Sequence, residues 1–555
     1  MILYSKEKIR HYKEAGAWGE TTLVDCFEKN VEKYKGMTCL VDPLDKIKLV
    51  GLKPQKYSYE ELGKKIRILA TNLIDIGIQK DDIIVVQLPN VSELVMAYLA
   101  ITMAGGIISP VPMQWRNKEL SYIFTLTESR MFIGMDNFKD FNSVNMAQMI
   151  QQQAPSLKHI VSLAELKEMM KGYIDETKLK KVRPAADEVF TIQWTSGTEA
   201  DSKGCPLTHN NQLFQGSCYK ALGLKDGETI LCLPPLVNAS GISSFFVPWL
   251  LMGGKLVLHH PFDTELFIKQ VIEENVNYFG MVPAMLNMLL KFSENAELDL
   301  NSVRLIITGS APPSIWALRE FKNRWGMDIC NIYGMNEGTV FASIIDLPKE
   351  IEKRAGLFPW WGKIGVKWPS EEINGAVAAI ESRLIGENGQ EAINVGDVGE
   401  LRMKGPGVFS GYYNRPDITE KAFDEAGFLR TGDLFQIEDN NYLSFFDRAK
   451  DIIIRGGFNI SAQEVENSAL KHPDIVDAAA VSMPDDIVGE KICLYVVTRE
   501  NIQITLDDLV SFLKESGMAV YKLPERIESI SEIPRNPVGK IVKANLRKDI
   551  REKMG

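Results

Sequence analysis

Between residues 82 and 325, short apolar β-rich runs alternate with amphipathic helical patterns, and few architectures accommodate that rhythm. Residues 82–88 read as a strand, 93–104 as a helix and 107–111 as a strand. The pattern returns with a strand at 229–233, a helix at 243–252 and a strand at 255–258. A helix at 265–274, a strand at 303–308 and a helix at 314–325 follow. Apolar runs separated by helices predict mostly parallel sheets covered on both faces by helices. No repeat of 20–50 residues interrupts the series.

The pattern changes near residue 450. Residues 399–451 are turn-rich and read as antiparallel strands. After them come a strand at 451–454, a helix at 462–471, strands at 478–481 and 492–497, and a helix at 506–515. That stretch is βαβ-like and long enough for one small α+β domain of about 100 residues. The fold class expected is therefore α/β: a large amino-terminal domain with an added antiparallel portion, then a small α+β domain.

Composition removes several classes. A chain of 555 residues exceeds any single small module. Gly 42 and Pro 25 are too few for a collagen-like or low-complexity chain. Lys+Arg 63 against Asp+Glu 73 leaves a net charge of −10, so general binding of nucleic acid or anionic membrane is not expected. Seven scattered cysteines without C-x-x-C form neither a disulfide framework nor a zinc site. The longest apolar stretch, 94–113, contains Gly105, Gly106 and Pro110. It reads as a buried helix entering a buried strand, so no integral membrane segment is expected. The first residues lack a signal-peptide core, and a cytoplasmic location is the expectation.

The strongest local signal is Thr195-Ser196-Gly197-Thr198-Glu199-Ala200-Asp201-Ser202-Lys203-Gly204. Hydroxyls, backbone N–H groups and one lysine suit a phosphate chain. A polar surface turn would have the same composition. A Walker loop would not, because glycine must precede its lysine and Ser/Thr follow it.

This segment resembles the phosphate loop of the adenylate-forming superfamily, which includes acyl-CoA synthetases. Four further segments are similar to family motifs in the same order: Tyr333-Gly334-Met335-Asn336-Glu337; Tyr412 with Thr431-Gly432-Asp433; Asp447 to Asp451 with Gly456-Gly457 and Glu464-Val465-Glu466; and Pro534 to Lys540. The resemblance implies a large adenylation domain, 1–449, and a small mobile domain, 450–555, hinged at Lys450. It implies an AMP-forming acid–thiol ligase that uses ATP and Mg2+. The acid is activated as an acyl-adenylate, with release of pyrophosphate, and its acyl group then passes to coenzyme A.

Roles follow from the same resemblance. Lys540 would bridge the acid and the nucleotide, Glu337 and Thr198 would hold magnesium, and Lys203 would hold the outer phosphates. Thr195, Ser196, Gly197, Gly309, Ser310, Ala311, Tyr333, Gly334, Met335 and Asn336 would line the nucleotide. Asp433 and Arg448 would meet its ribose. Gly456, Gly457 and Phe458 would border the thiol tunnel. The acid pocket would be drawn from Asn238, Ala239, Gly241, Ile242 and Gly338.

The chain departs from the family at Ala200, where glycine is usual, and at Asp201, which is expected to be exposed. Asn336 replaces threonine, and Asn238 replaces histidine. With no cation in the pocket segments, the expected partner is a small monocarboxylic acid that is medium-chain, alicyclic or aromatic. A monomer or homodimer is expected. Two other readings stay open: a stand-alone aryl-acid activating enzyme that loads a carrier-protein phosphopantetheine, and a non-catalytic nucleotide-binding relative.

Overall fold

The computed structural model describes residues 1–139, 141–195, 201–293, 298–345, 347–377, 379–439, 441–500, 502–536 and 540–554. The chain forms two compact units. The larger contains Met1–Thr195, Ser202–Glu381 and Met403–Leu429; the smaller contains Ser382–Arg402 and Arg430–Gly555.

The larger unit holds two mainly parallel sheets. One has eight strands in the spatial order 339–342, 328–335, 305–309, 278–280, 229–232, 255–258, 38–41, 56–58. The other has six, in the order 159–162, 131–134, 83–86, 107–110, 189–194, 204–208. Each ends on an antiparallel hairpin, 328–335 with 339–342 and 189–194 with 204–208. These two hairpins carry the Tyr333–Glu337 and Thr195–Lys203 motifs.

The packing explains the alternating pattern. Leu231, Val257, Phe279, Ile306 and Ile329 share a core with Phe267, Leu286, Leu318 and Phe321 from crossover helices. Val85, Ile107, Phe132 and Ile192 pack likewise on Leu120, Ile123 and Phe124. Each such side chain contributes about 1.5–3 kcal/mol on burial. The apolar stretch at 94–113 is indeed internal. All 12 residues of helix Ser92–Met103 are buried, as is strand Ile107–Pro110. Among the described residues, no helix is long and apolar enough to cross a membrane.

The buried helix begins on a buried charge cluster. Asp42 Oδ1 accepts from the Ser92 N–H at 2.8 Å, which suits an anion at a helix amino terminus. Lys46 Nζ lies 2.7 Å from both Asp42 and Glu93. Burial pushes the Asp42 carboxyl upward, and the Lys46 charge counters it.

One helix departs from its expected form. The sequence pattern predicts a single helix over 243–252, whereas Ile242–Phe246 is a π-helical turn that continues into the α-helix Val247–Met252. Such turns shift the register by one residue and often lie at functional sites.

From Arg430 onward, strand Leu429–Asp439 lies in the smaller unit and pairs in antiparallel fashion with Tyr442–Arg448. A second sheet pairs 475–485 with 489–498 in antiparallel fashion, and Arg526–Ser529 adds parallel to 489–498. Helix Leu506–Glu515 lies between those parallel strands in sequence. The βαβ element is thus completed by 526–529, a half-buried strand without the apolar run that marks the others.

Candidate active site

Thr195 and Lys203 close the neck of the phosphate-loop hairpin. The Thr195 N–H donates to the Lys203 carbonyl at 3.0 Å, and the Lys203 N–H donates to Thr195 Oγ1 at 3.1 Å. Ser196, Gly197, Thr198 and Ala200 lie outside the described residues. Asp201 is exposed, as expected.

The second hairpin carries Asn336, Glu337 and Gly338 in its turn. A Cβ at Gly338 would lie 1.9 Å from the Gly407 carbonyl oxygen, and its φ is +94°. Only glycine fits both conditions. That close approach draws the 403–412 segment alongside, where the Phe409 N–H donates to the Glu337 carbonyl at 2.9 Å.

Glu337 is buried, at 6% exposure. Its Oε1 accepts from the Tyr412 hydroxyl at 2.8 Å, and Lys203 Nζ sits 5.0 Å from the centre of the same phenol ring. Burial, then the Glu337 charge, pushes the Tyr412 phenol upward, so it remains a donor. Tyr412 is fixed in turn by Phe409, 4.9 Å away at 72°, within a cluster that includes Cys205 and Leu207. Burial likewise keeps the Cys205 thiol neutral. One tyrosine therefore holds a carboxylate by its edge and an ammonium by its face. The sequence marks Tyr412 only as part of a motif, because its partner Glu337 is 75 residues away.

Tyr412→Phe keeps the ring and removes the hydroxyl. Losing one hydrogen bond to a charged group should slow any reaction that depends on Glu337 by about tenfold. Tyr412→Leu, which also removes the ring face, should be slower still. Pyrophosphate release measures both, and an unchanged Tyr412→Phe rate would contradict this positioning.

Asn238 caps a short helix, Ala239–Gly241. Its Oδ1 accepts from Ser240 Oγ at 2.6 Å and from the Gly241 N–H at 3.4 Å. Ile242, which is buried, opens the π-helical turn. Asn336 reaches this segment: its Oδ1 accepts from the Ala239 N–H at 3.0 Å. Tyr333, Gly334 and Met335 end strand Asp328–Met335, and the Tyr333 ring packs edge-on against Phe341 at 6.5 Å. Gly309 ends strand Leu305–Gly309, and Ser310 and Ala311 follow it. Ser310 is exposed in the left-handed region at φ +73°, a strained geometry common at functional loops. The larger unit thus gathers Thr195, Lys203, Asn336, Glu337 and the 239–242 segment around two hairpin turns.

In the smaller unit, Asp433 faces Arg448 across paired strands, with 3.4 Å between Oδ1 and Nε. The Asp433 N–H donates to Thr431 Oγ1, which itself donates to the Leu401 carbonyl. Asp447 accepts from Ser461 Oγ and the Gln463 N–H, joining strand Tyr442–Arg448 to the helix that follows. The Lys450 carbonyl and the Asp451 carboxylate both accept from Arg547 in the last helix, at 3.1 and 2.5 Å. Glu466 accepts from the Ala480 N–H and pairs with Lys543 at 2.8 Å, so the Glu464–Glu466 motif serves as an anchor. Gly456 and Gly457, at φ +57° and +82°, form the turn of a hairpin between 453–455 and 458–460. Phe458 is 54% exposed and stacks on Tyr521 at 4.6 Å. At the final motif, the Asn536 N–H donates to the Lys540 carbonyl at 2.8 Å. The Lys540 N–H returns to Asn536 Oδ1 at 2.9 Å.

Among the described residues, no cluster of three or more His, Cys, Asp or Glu could hold a metal ion. Glu337 is still a suitable single ligand for a hard cation, being a buried carboxylate whose partner here is a neutral phenol. Magnesium typically takes one or two carboxylates and completes its shell with phosphate and water.

The family described as AMP-binding enzyme matches residues 27–413, and its C-terminal domain matches 464–540. A medium-chain fatty-acid–CoA ligase of Escherichia coli (strain K12) is 29% identical, with 100% of this chain and 94% of that protein covered. A 2,3-dihydroxybenzoate-AMP ligase of Bacillus subtilis (strain 168) is 29% identical over 98% of this chain and 96% of its own. ATP-bound MatB from Rhodopseudomonas palustris shares the fold, with a TM-score of 0.81 at 23% identity over 96% of this chain and 100% of its own.

Proposed function

The chain belongs to the AMP-binding enzyme family and is an adenylate-forming ligase, and from that premise we propose that it joins a monocarboxylic acid with an apolar body to coenzyme A. The acid's carboxylate oxygen attacks the α-phosphorus of ATP. The bond to the β-phosphate oxygen breaks, and pyrophosphate leaves. The thiol of coenzyme A then attacks the acyl carbon, gives up its proton and expels AMP.

The observation that carries this reading is the grouping of Glu337, Tyr412 and Lys203 at the mouth of the phosphate-loop hairpin. Bringing one anion to another requires cations and oriented donors held in advance. Lys203 would meet the outer phosphates. Glu337, with Thr198, would hold magnesium, which when bound supplies charge between phosphate oxygens. Asp433 and Arg448 would meet the ribose. The smaller domain, turning at Lys450, would present Lys540 for the first step and Gly456, Gly457 and Phe458 to the thiol for the second.

The acid assignment draws on the pocket segments 238–242, 309–313 and 333–338, which contain no Lys, Arg or His. A second carboxylate on the substrate would have no partner there. The full-length similarity to a medium-chain fatty-acid–CoA ligase favours coenzyme A as acceptor. The similarity to a 2,3-dihydroxybenzoate-AMP ligase favours a second reading, in which an aryl acid is loaded on a carrier-protein thiol.

ATP–pyrophosphate exchange over a panel of fatty, alicyclic and aromatic acids tests the first step. Thioester formation with coenzyme A, against a phosphopantetheinylated carrier protein, tests the second. Exchange followed by thioester formation on coenzyme A supports the proposal. Thioester on the carrier alone would move the chain to the second reading, and no exchange with any acid would overturn both.

A further inference from the structure

Asn336 stands where the resemblance leads one to expect threonine, and both ends of its carboxamide are engaged. Oδ1 accepts from the Ala239 N–H at 3.0 Å across 97 residues, and Nδ2 donates to the Trp194 carbonyl at 2.8 Å across 142 residues. The partners fix the orientation of the amide, since an N–H needs the oxygen and a carbonyl needs the NH2 group.

These partners belong to different parts of the site. Trp194 ends the strand that leads into the phosphate loop. Ala239 begins the short helix of the acid segment, where a backbone N–H has no partner within the helix. Asn238 does not supply that partner, for its own oxygen is turned to Gly241 and Ser240. A threonine has one hydroxyl on a shorter stem and could not span both groups.

We propose that Asn336 is a positioning residue that latches the acid-binding segment, 238–242, to the root of the phosphate loop and so sets the affinity for the carboxylic acid. The inference rests on the function proposed above. Reaction between two bound anions requires their sites to be held in register to within about an ångström. Here one neutral side chain supplies that register without adding charge beside the phosphates. The departure from threonine thus becomes a specificity feature of this chain.

The test uses two single variants and their combination in the full chain. Asn336→Ala removes the latch from one side. Ala239→Pro removes it from the other, by deleting the N–H. Proline suits the first position of a helix, and Asn238 before it is already extended at φ −148° and ψ −179°. Each single variant should raise KM for the acid about tenfold, because each loses the bond between Asn336 and Ala239 and leaves a polar group unpaired; Asn336→Ala also loses the bond to the Trp194 carbonyl. KM for ATP should rise severalfold less than KM for the acid, least in Ala239→Pro, which keeps the bond to Trp194, and the double variant should be no worse than Asn336→Ala alone. A similar rise in both KM values, or additive losses in the double variant, would overturn the proposal.

Amide hydrogen exchange on the chain without substrates supplies a readout independent of catalysis. Asn336→Ala should speed exchange in peptides spanning 236–246, and unchanged protection there would overturn the latch. If the unaltered chain shows no pyrophosphate exchange with any acid, the proposed function fails, while hydrogen exchange still decides whether the latch exists.

Discussion

Lys540→Ala is expected to slow acyl-adenylate formation by about 10²- to 10³-fold, the usual cost of removing one preorganised group from developing charge. Thioester formation from supplied acyl-adenylate should fall less than about threefold, because that step no longer joins two anions. The proposed role asks the described ends of this loop to hold Lys540 in place. Its neck is closed by hydrogen bonds between Asn536 and Lys540 in both directions. A bridge between Arg535 and Ile541 and the Val542 N–H bond to the Pro534 carbonyl flank that closure. Separate assays of the two half-reactions provide the check. Equal losses in both would contradict a role confined to the first step.

Lys46→Met is expected to cost about 3–5 kcal/mol of folding stability, although it touches no substrate. Lys46 is fully buried between Asp42 and Glu93, and Ser92 Oγ accepts a third bond from its Nζ at 3.1 Å. Removing the cation leaves two acids facing each other in a dry interior at the start of the central helix. Adding Glu93→Gln should restore more than half of the loss. Asp42 would then retain the Ser92 and Gln55 N–H donors at 2.8 and 3.0 Å. Urea unfolding measures both variants. A Lys46→Met midpoint equal to that of the unaltered chain would show that the cluster contributes nothing net.

The sequence made the layered architecture readable because parallel strands buried on both faces are continuous apolar runs. Residues 83–86 are such a run, and 107–110 and 229–232 are interrupted only by Ser109 and Thr229. Local order also revealed the motif loops, since each is a hairpin turn or strand end with its own glycine and hydroxyl pattern. Contacts that depend on distant residues were not readable. Lys46 and Asp42 show their i, i+4 spacing, but Glu93 lies 47 residues away and joins them only through the fold. Asn336 was visible as a departure, yet its partners at Ala239 and Trp194 meet it only once the two edge hairpins are side by side. The π-helical turn at 242–246 escaped notice because one extra residue per turn leaves a short apolar run unchanged. Strand 526–529 is not legible in the sequence because its half-buried charged residues lack a β-like apolar face.

The most direct test of the central claim follows an oxygen atom. Acid labelled with 18O in its carboxylate is incubated with ATP, magnesium and coenzyme A, and the AMP is examined by mass spectrometry. Attack of the carboxylate on the α-phosphorus, followed by thiol attack on the acyl carbon, leaves one labelled oxygen on AMP. Unlabelled AMP, formed while the acyl thioester accumulates, would contradict the account.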